Sequence, residues 1–217
     1  MAAQAVSASI SRVTVLSLET THGRANVHLH PAEEASAALI LGHGAGGGLT
    51  APDLVAVTAL ARSEGLSVAL VEQPYRVAGR RSPAPAHHLD AAWTSVVHQL
   101  LAGELRGLAL VVGGRSSGAR VACRTAADSA AVGVLCLAFP LQPPRRRAAA
   151  GPAPSRLPEL DGVKVPTLVV QGVGDPFGMP PAGPLRTVVR VPGNHSLRTD
   201  VEAVGAAVRA WLPAVVG

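Results

Sequence analysis

Residues 111–123, VVGGRSSGARVAC, join an apolar run to a segment with helical spacing. Gly114, Ser116 and Gly118 stand at two-residue intervals inside this stretch. A serine on a sharp turn between a strand and a helix adopts strained backbone angles, and side chains two positions before and after it would collide with the neighbouring chain. Glycine at both positions removes that collision. The spacing therefore predicts a turn that raises Ser116 Oγ above the edge of a sheet, beside the free amides of a helix N-terminus.

Two other interpretations of this motif stay open at this point. A GxSxG pattern arises by chance in a chain with 23 glycines, and Gly114 also fits the helix-entry glycine of a nucleotide-binding turn. Ser117 does not fit the strained position, because the residues two positions away from it are Arg115 and Ala119. The residues that follow the other predicted strands distinguish between these interpretations.

The composition is typical of a globular chain with one core. The 217 residues are enough for one sizeable core and few for two, so we expect a single domain over residues 1–217. Hydrophobic residues make up 48% of the chain and charged residues 15%. Aromatic residues are only 2%, so alanine, valine and leucine must build the core.

The net charge of +5 does not indicate a nucleic-acid partner. Arg145–Arg147 form the one basic cluster of the sequence, and the five aromatic residues are scattered singly. Nucleic-acid binding usually combines a basic face with aromatic side chains that stack on bases. We expect no nucleic-acid partner.

Several features predict a cytoplasmic protein without a membrane partner. Cys123 and Cys136 lie in apolar stretches, as buried and reduced thiols of a cytosolic protein do. The N-terminal MAAQAVSASISR lacks the positive start and continuous apolar core of a secretion signal. No apolar run approaches membrane-spanning length.

Short apolar runs alternate with helical patterns along the chain. Residues 11–30 resemble an N-terminal hairpin. Helix starts are indicated by Thr50 with Asp53 and by the capping-box pattern of Thr199 with Glu202, and another helix runs from the Ser116 turn to about residue 128. The runs that we predict to be buried strands are 37–41, 67–71, 108–112, 132–139, 167–171 and 187–191. This alternation predicts an α/β protein, a three-layer α/β/α sandwich with a mainly parallel twisted sheet.

Polar residues follow the last two predicted strands. Ligands bind at the carboxyl ends of strands in such sheets, and Asp175 and His195 stand there. A nucleophilic serine needs a base to take its proton, and the base needs a carboxylate to orient it. Taken singly, Asp175 fits a turn aspartate and His195 a loop histidine; their joint position after Ser116 favours the triad. Asp161 and Asp200 are weaker candidates for the acid.

The glycine-rich residues 42–48, GHGAGGG, follow the first buried strand. Such a flexible loop can turn an amide toward a serine and stabilise the oxyanion that forms on attack. We predict Ala45 as this donor, with Gly44 as the alternative, and the Ser117 amide as the second donor. His43 is expected to fix the loop. A phosphate cradle is disfavoured because the loop lacks a Lys-Ser/Thr ending.

Taken together, the motifs resemble those of an α/β-hydrolase with a minimal cap. The matching stretches are LGHGAGGG, VEQPYRVAGRR, GGRSSGARVACRTA, LAFPLQPP, VPTLVVQGVGDPFG and GNHSL. More narrowly, the chain resembles small bacterial dienelactone-hydrolase-like proteins, whose relatives include an α/β-hydrolase domain in a subunit of a eukaryotic histone-acetyltransferase complex. The resemblance implies a Ser116 nucleophile, a His195 base, an Asp175 orienting acid and an oxyanion hole at Ala45 and Ser117.

The sequence departs from this family at two points. Dienelactone hydrolases proper use a cysteine nucleophile where this chain has Ser116, so lactone specificity does not carry over. The related pattern FPLHPPG reads FPLQPPR here, which leaves Gln142 where a histidine would stand.

Loop residues near the predicted strand ends are candidates for contacts with the substrate. Arg115 either attracts an acidic acyl group or pairs with Glu72 and shapes the turn. The candidates are Tyr75, Arg76, Arg115 and Phe139.

The region of residues 140–166 lies where many α/β-hydrolases insert a cap. It is short and proline-rich, which predicts a loop and an open site rather than a helical lid.

The sequence contains two pairs of nearby histidines, but no third and fourth ligand accompanies either pair, so we predict no metal and no cofactor. The pairs are His28 with His30 and His87 with His88.

Two functions are compatible with the sequence. The first is a serine hydrolase, monomeric or homodimeric, that cleaves small carboxylic esters or thioesters through an acyl-enzyme; its partner is a small-molecule acyl substrate. The second is a non-catalytic module that kept the fold and binds a ligand or a protein. The complete set of three groups favours the first.

Overall fold

The computed structural model describes residues 13–143 and 154–217. Its strands are β1 (Thr14–Thr20), β2 (Gly23–His30), β3 (Ala37–Gly42), β4 (Leu66–Glu72), β5 (Ala109–Arg115), β6 (Gly133–Leu137), β7 (Thr167–Gly172) and β8 (Arg186–Val191). They form one sheet in the order β1-β2-β4-β3-β5-β6-β7-β8. The β1–β2 and β2–β4 pairs are antiparallel and the other pairs are parallel.

Helices cover both faces of this sheet. They are α1 (Pro52–Ser63), α2 (Pro74–Val77), α3 (Ala86–Ala102), α4 (Ser117–Thr125), α5 (Leu157–Asp161), α6 (Val201–Trp211) and α7 (Pro213–Val216). One core cluster joins α3 and α4 to the sheet, and the other joins α1 and α6 to its opposite face. The predicted α/β three-layer fold is confirmed.

The apolar runs became strands because both of their faces are covered. Every residue of β3, AALILG, is buried, and so is every residue of β7, TLVVQG. Parallel strands between two helical layers have no solvent face, so their sequences do not alternate. The N-terminal hairpin is also present, as β1 and β2, although residues 11 and 12 lie outside the described part of the chain.

Some boundaries differ from the predictions. Strand β5 continues to Arg115, past the predicted end at residue 112, and α4 ends at Thr125 rather than near residue 128. The loop between β4 and α3 contains the short helix α2. Proline at the first turn of α2 supplies a helical φ without costing a hydrogen bond, which explains a helix in this loop.

The predicted helix caps are wrong although the helices start where expected. The N-cap residue of α1 is Ala51, which makes no side-chain cap, and Asp53 is buried in an ion pair with Arg115. At α6, the carboxylate of Asp200 accepts the Ala203 amide at 2.8 Å, so Asp200 is the N-cap rather than the first-turn charge of a Thr199 capping box.

The two cysteines meet inside the core. Cys123 of α4 and Cys136 of β6 are both buried, and their Sγ atoms are 3.5 Å apart. Hydrogen bonding to Cys123 and burial raise the pKa of the Cys136 thiol well above its ordinary value. Both are free thiols, as the apolar surroundings of the two residues predicted.

Only part of the predicted cap region can be described. Residues 144–153, including Arg145–Arg147, lie outside the described residues. The two sides of this stretch are joined, because the Arg156 amide donates to the Leu141 carbonyl at 2.8 Å and the Arg156 guanidinium donates to the Pro140 carbonyl at 3.0 Å. Within residues 13–143 and 154–217, no helix has the length and apolarity needed to cross a membrane.

Candidate active site

The turn between β5 and α4 has the strained geometry that its glycines predicted. Ser116 adopts φ 54° and ψ −108°, and its amide donates to the Leu137 carbonyl at 2.9 Å. A Cβ atom on Gly114 would lie 2.5 Å from the Gly42 carbonyl oxygen, and one on Gly118 would also collide with that carbonyl. Strand β3 approaches the turn so closely that only glycine fits at these two positions.

Ser116, His195 and Asp175 form one chain of hydrogen bonds. His195 Nε2 lies 2.9 Å from Ser116 Oγ, and His195 Nδ1 lies 2.8 Å from Asp175 Oδ2. In the tautomer that satisfies both contacts, Nδ1–H donates to the carboxylate and Nε2 accepts the serine hydroxyl. The structure therefore brings together the three groups that the sequence placed after β5, β7 and β8. This arrangement can pass a proton from Ser116 to the imidazole.

The carboxylate of Asp175 is fixed from two further directions. Its Oδ1 accepts the Phe177 amide at 2.9 Å, and its Oδ2 accepts Gln171 Nε2 at 2.8 Å. Gln171, which is fully buried at the end of β7, also approaches the carbonyl oxygens of Phe139 and Gly178. Gln171 is a site residue that the sequence motifs did not predict. Its signal was a lone polar residue in the buried run TLVVQG, four positions before the aspartate.

We expect Gln171→Met to lower kcat by about tenfold, because Asp175 would keep its contacts with the Phe177 amide and His195 Nδ1 but lose a donor that sets its orientation. The substitution also removes the donor to the Gly178 carbonyl, which costs about 1–3 kcal/mol of stability, whereas the Phe139 carbonyl still accepts the Leu141 amide. Initial rates on a short-chain ester, with thermal unfolding measured on the same sample, check both effects. Unchanged kcat in a folded variant would show that Gln171 does not orient Asp175.

A second missed residue is Phe177, whose ring packs against the imidazole. The ring centroids of Phe177 and His195 are 4.3 Å apart, at an interplanar angle of 49°. Phe177 is half-buried, so its ring shields one face of His195 while the Nε2 side stays open toward Ser116. The signal was an aromatic residue, rare in this chain, directly after Asp175-Pro176.

The glycine-rich loop, residues 42–48, lies against the turn that carries Ser116. A Cβ atom on Gly44 would be 3.6 Å from Ser116 Cβ. His43 fixes this loop from inside: its Nδ1 contacts the Gly44 carbonyl at 2.8 Å, and its Nε2 accepts the Gln73 amide at 3.2 Å. Burial lowers the pKa of His43 below its ordinary value, and both contacts suit the neutral ring.

The predicted amide donors lie on this loop and on the first residue of α4. The Tyr75 hydroxyl donates to the Ala45 carbonyl at 3.0 Å, which restrains Ala45 beside Gly44. Ser117 begins α4, where a helix leaves its first amides without intrahelical acceptors. The assignment of Ala45, Gly44 and Ser117 to an oxyanion hole stays a prediction.

The structure uses the predicted substrate-contacting residues differently. Phe139 is fully buried in the core beside α4, so it has no surface with which to contact a substrate, and that prediction is wrong. Tyr75 is also buried and its hydroxyl is occupied by Ala45. Arg76 lies on α2 and is half-buried; its contact with a substrate stays a prediction.

Arg115 pairs with Asp53 and not with Glu72. Arg115 Nε lies 3.1 Å from Asp53 Oδ2, and Arg115 Nη2 donates to the His195 carbonyl at 3.0 Å. Burial raises the pKa of the Asp53 carboxyl, and the neighbouring guanidinium opposes that rise. The sequence did not distinguish Asp53 from an ordinary acidic residue in the first turn of a helix.

Outside this site, His87 and His88, one of the two histidine pairs, pack against each other and against His22. The His22 and His88 rings stack with centroids 4.0 Å apart, and His87 packs edge-on against His88. Across residues 13–143 and 154–217, no three His, Cys, Asp or Glu side chains are grouped so that they could hold a metal ion.

Comparison with known proteins places these features in a family. Residues 35–199 match the model of a family described as an alpha/beta hydrolase domain. No curated protein matches the chain in sequence.

Several solved structures share the fold at low sequence identity. XC6422 from Xanthomonas campestris, described as a serine hydrolase without lid, has a TM-score of 0.71 and 20% identity over 94% of this chain and 96% of its own. A dienelactone hydrolase from Anabaena variabilis has a TM-score of 0.76 and 16% identity over 95% and 99% of the two chains. Est1E from Butyrivibrio proteoclasticus has a TM-score of 0.73 and 16% identity over 93% and 98%.

Proposed function

The chain belongs to the alpha/beta hydrolase domain family, and from this premise we propose that it is a serine hydrolase that cleaves small carboxylic esters or thioesters. The observation that carries the proposal is the continuous hydrogen-bond chain from Ser116 Oγ through His195 to Asp175. Similarity in fold to serine hydrolases and a dienelactone hydrolase supports hydrolytic chemistry. A scaffold that only binds has no need for all three groups at this geometry.

The proposed reaction proceeds through an acyl-enzyme. Ser116 Oγ attacks the carbonyl carbon while its proton passes to His195 Nε2, and Asp175 stabilises the imidazolium. The Ala45 and Ser117 amides, with Gly44 as the alternative to Ala45, stabilise the oxyanion. His195 then gives the proton to the departing alcohol or thiol. Water, deprotonated by His195, attacks the acyl-enzyme, and the acid is released as Ser116 regains its proton.

An open site favours short or accessible acyl groups. In the described part of residues 140–166, α5 is the one helix, and it packs on α4 rather than over Ser116. XC6422, which is similar in fold, is described as lacking a lid. A series of p-nitrophenyl esters of increasing chain length would measure the acyl length that the site accepts. The proposal is completed by a cytoplasmic monomer or homodimer that needs no metal, cofactor, nucleic acid or membrane partner.

Labelling with a fluorophosphonate probe tests the proposed nucleophile. We expect the wild-type protein to be labelled and Ser116→Ala to give no signal, because the probe phosphonylates only a serine that a base activates. Ser63→Ala, an exposed serine at the end of α1, is the matched control and should be labelled like the wild type. A folded wild-type protein that takes no label would instead favour a binding module on this fold.

A further inference from the structure

Arg115 sits directly before the nucleophile, yet its side chain turns into the protein. We propose that Arg115, held by Asp53, is a positioning residue that fixes the His195 loop and the glycine-rich loop relative to Ser116. The inference rests on the proposed hydrolase function and adds a residue to its machinery. Of the two roles that the sequence left open for Arg115, it favours the structural one, with Asp53 rather than Glu72 as the partner.

The guanidinium contacts the glycine-rich loop after the neighbouring strand β3 and also the His195 loop, which the sheet places three strands away. Nη2 donates to the His195 carbonyl at 3.0 Å, and a Cβ atom on Gly44 would be 2.8 Å from Nη1. His195 follows β8, whereas Arg115 ends β5, and β6 and β7 lie between these strands in the sheet. Among the described residues, no ladder hydrogen bond therefore joins the His195 loop directly to the serine turn. Arg115 makes that connection through one side chain.

Asp53 determines where the guanidinium can lie. Its side chain is fully buried at the start of α1, and its Oδ1 also accepts the Leu54 amide at 3.0 Å. The Arg115 side chain is 16% exposed. The desolvation cost of burying these two charges offsets much of their attraction, so the ion pair contributes little net stability. The ion pair is better explained by orientation, because the fixed Asp53 carboxylate holds the planar Arg115 guanidinium in one position.

A direct substrate contact is the competing role for Arg115. Nε faces Asp53 and Nη2 faces the His195 carbonyl, which leaves Nη1 against the glycine-rich loop. The two roles differ in kinetics. A positioning residue affects the chemical step for every ester, whereas a substrate-binding residue affects KM and does so for acidic acyl groups.

Arg115→Met tests the inference through kcat, KM and labelling. We expect kcat for a neutral p-nitrophenyl ester to fall about 30-fold with KM within about twofold, because a small displacement of the base costs one to two orders of magnitude in rate. The rate of fluorophosphonate labelling should fall in parallel. Arg209→Met, which removes an exposed arginine paired with Glu64, is the matched control and should keep wild-type kinetics.

Arg115→Lys is the second variant and covers the case in which Arg115→Met does not fold. Lysine keeps a charge beside Asp53 but has no planar fork to reach Asp53 and the His195 carbonyl together, so kcat should stay at least about fivefold low. Wild-type kcat in either variant that folds, or a raised KM confined to acidic esters, would overturn the inference while leaving the hydrolase proposal intact. An unlabelled, inactive wild type would overturn both.

Discussion

Replacing Ser116 by alanine is expected to lower kcat for a short p-nitrophenyl ester by about 10⁶-fold, and His195→Ala should cost nearly as much. The reason is their mutual dependence: without the imidazole the hydroxyl keeps its proton, and without the hydroxyl the imidazole has nothing to activate. The double variant should therefore be no slower than either single variant. Asp175→Ala should cost about 10⁴-fold, because it orients the base without taking part in bond formation.

These losses are measured as single-turnover and steady-state rates of the four variants against the wild type. Circular dichroism and thermal unfolding show whether each variant keeps the fold, since Asp175 is buried beside Gln171. The outcome that contradicts a working triad is a His195→Ala variant with more than about a tenth of wild-type kcat. Losses that multiply in the Ser116/His195 double variant would also contradict it, because groups acting as one unit are not additive.

The second large effect is expected at the close approach between β3 and the serine turn. Gly118→Ala should lower the free energy of unfolding by about 3 kcal/mol, because the new methyl group would overlap the main chain of Gly42. Main-chain atoms in the middle of a sheet cannot move aside as a flexible side chain can. The variant should also lose the proposed esterase activity, since any relaxation displaces Ser116.

Gly205→Ala is the matched control for this prediction. Gly205 lies inside α6, and the nearest atom to a Cβ placed there is Leu60 Cδ2 at 4.0 Å. Alanine should therefore raise the free energy of unfolding by about 0.5–1 kcal/mol through helix propensity alone. If packing at Gly42 is the cause, urea unfolding should show a lower free energy of unfolding for Gly118→Ala and a higher one for Gly205→Ala. A Gly118→Ala variant as stable as the wild type would show that β3 and the turn can separate without cost.

Features that depend on local sequence or on chain order were predictable. The layered α/β architecture followed from apolar runs such as 37–41 and 167–171, whose lack of alternation indicates burial on both faces. Ser116 followed from the two glycines around it. Asp175 and His195 followed because parallel strands bring their carboxyl ends to one edge, so residues far apart in sequence meet there.

Features that depend on which side chains meet in the folded core were not predictable. Asp53 looked like a helix-start residue, and only the folded chain shows that Arg115 reaches it from β5. Gln171 was a lone polar residue in a buried run, but only the folded chain shows that its side chain reaches Asp175. Phe139 was expected at the site because it follows β6, but its side chain points into the core beneath α4. Side-chain direction at the end of a strand depends on register and packing, which one sequence does not specify.

Some sequence-based predictions stay predictions. The relation to a histone-acetyltransferase complex subunit, the oligomeric state and the cytoplasmic location belong here. The expected absence of a nucleic-acid partner also stays a prediction, and the basic cluster Arg145–Arg147 lies outside the described residues.

The contact between Cys123 and Cys136 gives the molecule a built-in chemical reporter. The sequence contains no other cysteine, and both thiols are shielded where the helix that begins after Ser116 lies on its supporting strand. Cys136 is fully buried, so a maleimide reaches it only when that layer opens, and its alkylation rate in native buffer measures how often the helix that follows Ser116 separates from the sheet. Mass spectrometry of the intact protein can follow this local opening without any engineered label.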